Sequence, residues 1–167
     1  MTQSERWKYA AGEVFSPAAF FYPAVQAAVT QADDKPHEWG QGAKGFARRY
    51  SSGYAGRVVG QSIEQTIAFA MHEDNRYFAS GMEGTRRRIW YAASSTFLAR
   101  HDDGSRGLSF SSLGGAAGGS FLTRSWQPRS TSRGRDAAVS FALTMAVRVG
   151  LNEAREFGPK FLRTFLK

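Results

Sequence analysis

A chain of 167 residues is long enough to enclose a core and short enough to be a single domain. It contains no cysteine, which excludes a disulfide framework, a thiolate metal site and a thiol nucleophile. The formal net charge of +8, carried by 17 Arg against 5 Lys, points to anionic partners, and Arg suits bidentate phosphate and carboxylate contacts.

Residues 1–15 are charged and aromatic, with Trp7, Tyr9 and Phe15, and read as an N-terminal arm packed on the body. They lack the continuous apolar run of a secretory signal. Ser16-Pro17 has the form of a helix start, with Ser as cap and Pro in the first helical position. Pro23 should kink or restart the apolar helix that follows. Asp33 to Pro36 closes this element, and Glu38 to Gly42 is a turn in which Trp39 anchors against the body.

A central helix is expected from about Ala43 to Met71. From Val58 onward its one charge is Glu64, and a helix apolar nearly all round is either buried or embedded in a membrane. Gly53, Gly56 and Gly60 share one face at spacings of three and four. Glycine costs about 1 kcal/mol in a helix interior, and the usual return is close approach by a second helix. A lone carboxylate in such a stretch must be paired, protonated or facing water. For Glu64 the plain reading is an ion pair with one of the arginines, and the sharper one is proton transfer, which makes it the candidate catalytic residue. His72-Glu73-Asp74 ends the helix.

Asn75 to Gly84 is a loop, and Thr85 to Arg100 reads as a helix. Arg86, Arg87 and Arg88 precede Trp90 and Tyr91 there, and basic, then aromatic, then apolar is the order of a helix meeting anionic headgroups. Cations in a first helical turn oppose the macrodipole, so the triplet also calls for an acidic partner. After a turn at His101 to Gly107, residues 108–126 read as a helix with two overlapping GxxxG pairs, Gly114 with Gly118 and Gly115 with Gly119. This face can lie against the glycines of the central helix. Residues 127–135 are a mobile basic loop, and Asp136 to Glu156 is the last long helix, closed by Gly158-Pro159. An amphipathic tail with Phe161, Leu162, Phe165 and Leu166 follows. No strand alternation with hairpin turns stands out, and no window is long enough for a conventional membrane span. The expected fold is therefore all-α: one domain over residues 1–167, about five helices packed through glycine-rich faces.

Each histidine precedes acid, which makes His72, Asp74, His101 and Asp103 candidate ligands for Zn or Fe. No HExxH motif and no His pair at helical spacing accompanies them, so solvated turn residues are the better reading and no metal or cofactor is expected. A cell-wall-directed hydrolase would need Glu64 as acid with Asp74 or Asp103 across a cleft. Nucleic-acid binding would draw on Arg124, Arg129, Arg133 and Arg135.

The segment His72-Glu73-Asp74-Asn75-Arg76-Tyr77-Phe78 resembles one found in a family of uncharacterised bacterial proteins, mainly of soil-dwelling groups. The resemblance runs from about Glu38 to Pro159. It takes in Glu38-Trp39-Gly40 with Gly42, Tyr91-Ala92, the turn of Arg100, Asp102, Asp103 and Gly104, and Glu156-Phe157 ahead of a Pro. This chain departs from the family pattern at Asn75, where Pro is usual, and at Gly158, where Trp is usual. Members commonly begin with a secretory signal, so the resemblance implies an envelope location and no particular activity. The resulting expectation is a non-enzymatic structural or binding component of a bacterial membrane or envelope assembly. Its partner would be an anionic membrane surface or another envelope protein, with homo-oligomers a further option. A nucleic-acid-binding protein ranks second and a hydrolase using Glu64 third.

Overall fold

The computed structural model describes Lys8, residues 11–101 and residues 104–158. Residues 11–15 are helical and lead into α1, Pro17–Ala32. Ser16 caps α1 as its sequence requires, its hydroxyl accepting from the Ala19 amide at 3.1 Å. The restart expected at Pro23 does not occur. The helix continues through it, because Pro23 is buried against α2, where it lies beside Gly53. A 3₁₀ turn at His37–Trp39 leads to α2, Gly42–Ala70, which spans 29 residues. Further along come β1 at Glu73–Asp74, α3 at Thr85–Ser94, β2 at Leu98–His101 and β3 at Arg106–Leu108. The chain continues with α4 at Phe110–Leu122, a 3₁₀ turn at Thr123–Trp126, and α5 at Gly134–Phe157.

The protein is mostly helical, but it is not all-α. The three strands form one antiparallel sheet in the order β1-β2-β3. Arg100 pairs with both Asp74 and Arg106, and Leu98 pairs with Leu108. The helix expected over Thr85 to Arg100 accordingly stops at Ser94. Its last residues turn and become β2, because a hairpin partner lies immediately beyond the Gly104 turn. Long-range pairing there outweighs a local helical preference.

The helices pack in the order α1–α2–α4–α5–α3, and the contact of α2 with α4 is the most extensive. Small residues make that contact. A Cβ placed on Gly115 would lie 2.5 Å from Glu64 Cβ and 2.8 Å from the Gly60 carbonyl oxygen, and one on Gly119 would lie 2.9 Å from Gly60 Cα. Gly114 and Gly118 receive the side chains of Ile67 and Ile63. The three glycines of α2 serve different neighbours: Gly60 meets α4, Gly56 meets Thr123, and Gly53 meets Gln26 and Pro23 of α1. On the same side as Gly53, Phe46, Tyr50 and Tyr54 of α2 stack in series at 6.5 and 6.4 Å, and Phe20 of α1 continues the stack at 5.3 Å from Tyr54.

What the fold encloses is small or polar. Apart from Pro23 and Pro36, the buried apolar side chains are seven alanines and Met145, while twenty-one large apolar side chains stand exposed among the described residues. That distribution inverts the usual one, in which large aliphatic and aromatic residues fill the interior.

Candidate functional site

Two buried carboxylate networks organise the interior, and both are assembled from residues far apart in sequence. The first lies where α2 meets the start of α4. Ser109 caps α4, its hydroxyl accepting from the Ser112 amide at 3.1 Å. Glu73, 1% exposed, then receives the Phe110 amide at 3.1 Å, the Ser111 amide at 3.0 Å and the Ser111 hydroxyl. A carboxylate at this position meets orphan N–H groups and the positive end of the helix dipole. Beside it Glu64, 5% exposed, pairs with Arg148 of α5 at 2.5 Å and accepts from Asn75 at 3.1 Å and Ser112 at 3.3 Å. Arg148 also reaches Ser112 at 3.1 Å. Asn75 joins the two acids, donating to Ser111 at 2.7 Å and accepting from Ser109 at 2.9 Å. Glu64 is thus committed to a cation and two neutral donors inside the helix packing.

The second network surrounds Glu156 of α5, also 1% exposed. It accepts from the Tyr77 hydroxyl at 2.6 Å, the Ser80 hydroxyl at 2.6 Å, the Ser80 amide at 3.0 Å and Arg88 Nε at 2.8 Å. Arg88 Nη2 also donates to the Glu156 carbonyl at 2.6 Å, and its guanidinium lies over Phe157 at 4.4 Å. Burial works to raise the Glu156 carboxyl, but the bonds from Ser80, Tyr77 and Arg88 outweigh it and hold the group down at about 2. Burial, and then the bond to Glu156, push the Tyr77 phenol well above its ordinary value.

The structure therefore divides the basic triplet. Arg88 turns inward to Glu156, the acidic partner its helix position demands. Arg86 and Arg87 point outward, and neither has an ion-pair partner among the described residues. Trp90 stands 67% exposed beside them with Ile89, while Tyr91 is half-buried under Arg106, whose guanidinium is 4.9 Å from the ring centroid. The outer surface of α3 is thus basic and aromatic.

Of the candidate metal ligands, Asp74 is taken by Arg76 at 2.7 Å, His72 is exposed with a left-handed backbone, and Asp103 lies outside the described residues. His101 pairs with Glu73 across the β1–β2 register. No group of three His, Cys, Asp or Glu among the described residues is placed to hold an ion. Of the basic residues around 124–135, Arg124 is half-buried and donates to Gln127, Thr131 and Ser140, and burial lowers its pKa.

An open groove of about 800 Å³ along α2 was not singled out from the sequence. Trp39 and Trp126 wall it, and Lys44 and Arg48 stand at one end. The available signal was the row Lys44, Arg48, Ser51, Ala55 and Val59 at helical spacing, which the glycines of the same helix overshadow. Comparison of the chain with known protein families, curated proteins and solved structures gives no match.

Proposed function

We propose that this protein is a non-enzymatic binding component of the bacterial envelope, a helical bundle held by its glycine contacts that docks on an anionic membrane surface. The observation carrying this reading is the placement of large apolar side chains outside and small or polar ones inside. Helix α1 has no charged residue between Pro17 and Ala32, and it exposes Phe20, Phe21, Val25 and Val29. Helix α5 has none between Asp136 and Arg148, and it exposes Val139, Leu143 and Val147. No helix of the described residues is long and apolar enough to cross a membrane, so the mode that fits is a helix lying in the interface.

Charge supports the same reading. Glu64, Glu73 and Glu156 are spent internally, while Arg86 and Arg87 flank an exposed Trp90, as residues at a headgroup layer do. Each basic residue near an anionic surface contributes roughly 1 kcal/mol.

Co-flotation with anionic and neutral vesicles at low and high salt tests the proposal. Binding to anionic vesicles is expected, with a fraction that survives high salt through apolar insertion. Neutralising both arginines (Arg86→Gln with Arg87→Gln) should weaken anionic binding by a factor on the order of thirty. Absence of flotation would reject the proposal. Flotation abolished by salt, together with equally salt-sensitive binding to naked nucleic acid, would move the function to the nucleic-acid alternative.

A further inference from the structure

The groove along α2 is built from held parts. Trp126 is oriented by its indole N–H, which donates to the Ser52 hydroxyl at 3.1 Å. Trp39 sits in the 3₁₀ turn that Arg49 pins from below. That guanidinium, with a side chain 1% exposed, donates to the carbonyls of Lys35 at 2.9 Å, Pro36 at 3.0 Å and Gly40 at 2.6 Å, and to Gln31 Oε1 at 2.7 Å. A hydrogen bond of 2.7 Å from Ser130 to Glu38 ties this turn to the segment that follows Trp126. The Trp126 indole and the turn that carries Trp39 are thus held before any ligand arrives, which removes part of the ordering cost of binding.

The groove is polarised along its length. Lys44 and Arg48 occupy its beginning, and neither has an ion-pair partner among the described residues. Ala47, Ala55 and Val59 carry the floor away from them. At 1.5 Å per residue, Lys44 to Val59 covers about 22 Å. A nucleic-acid strand would need cations along the whole track. A peptide would need partners for its backbone amides, and of the two groove serines Ser52 already accepts from Trp126. One cationic end, an apolar floor and aromatic walls match an elongated ligand with a single anionic head.

We propose that this groove binds one long acyl chain ending in a carboxylate, with the head at Lys44 and Arg48, near Trp39, and the chain running along α2 past Trp126 over Ala55 and Val59. The groove does not involve Arg86, Arg87 or Trp90, so its failure would leave the membrane reading standing, and the reverse holds too.

Titration calorimetry of the full chain with palmitate, kept below its micellar concentration, tests this. The expected result is saturable binding at one site. Ala55→Trp, which fills the groove from an exposed helix position, should weaken it by about tenfold or more, as should Lys44→Glu combined with Arg48→Glu. Palmityl alcohol, with the same chain and no charge, should bind about tenfold more weakly and be indifferent to the charge reversal. If Ala55→Trp lowers Tm, Ser51→Glu supplies a second block, one turn from Arg48. Absence of saturable binding overturns the proposal. So does palmitate affinity that is unchanged in the blocked variants, which would mean adsorption on the exposed apolar faces instead.

Discussion

Glu156 is the residue through which the structure should feel acid most sharply. An unfolded glutamate titrates near 4.3, whereas this one is held at about 2 by Ser80, Tyr77 and Arg88. Its contribution is therefore complete above about pH 4.3 and is lost as the pH falls toward 2, a loss on the order of 3 kcal/mol. Glu156→Gln should remove that part of the acid sensitivity and destabilise the protein at pH 7 by roughly 3 kcal/mol, because the buried site loses the charged acceptor on which Ser80, Tyr77 and Arg88 converge. Urea melts of both proteins from pH 7 to pH 2 decide it: curves that run parallel below pH 5 would show that Glu156 does not carry the effect. The need for such an acid was legible in the sequence, since three arginines at a helix start require one. Its identity was not, because Arg88 and Glu156 lie 68 positions apart and only the packing of α3 on α5 joins them. Glu64 was legible in the same partial way: a lone carboxylate in an apolar stretch calls for a partner, and Arg148 is supplied by a helix 84 positions further on.

At the scale of elements, α2 and α5 were readable because long unbroken stretches end in polar or Gly-Pro stops, and both fall within two residues of their expected limits. The sheet was not readable, since strands of two, four and three residues are too short to show a period. The glycine spacing showed that close packing was needed, but not that Gly53, Gly56 and Gly60 would divide among three neighbours. This division gives glycines of one chain opposite mutational signs. Gly115→Ala puts a methyl against backbone and Cβ atoms that cannot yield, so a loss of about 1–3 kcal/mol is expected. Gly150→Ala, also within a helix but with nothing within 4 Å, should instead stabilise by about 0.5–1 kcal/mol through helix propensity. Thermal melts of the two variants should move Tm in opposite directions, and a common direction would refute the packing assigned to the α2–α4 contact.

The whole molecule combines a strongly polar interior with an apolar exterior, and these two features have one explanation. Close helix approach through glycine and alanine leaves little room for large side chains inside, so the enclosed space goes to Ser, Asn, Glu and Arg, whose hydrogen bonds hold the packing. The displaced leucines, valines and phenylalanines then face outward. If that face exists for contact with lipid, it should be separable from folding. Leu143 is 61% exposed and Val147 is 40% exposed, so replacing both with Gln should change stability by no more than about 1 kcal/mol. The same pair should lower the salt-resistant fraction of vesicle binding by on the order of tenfold or more, since burying one such side chain contributes about 1.5–3 kcal/mol. A sharp fall in Tm would mean that the fold itself depends on these side chains. Unaltered flotation with an intact fold would take the α5 face out of the membrane contact and leave α1 and the outer surface of α3 to carry it.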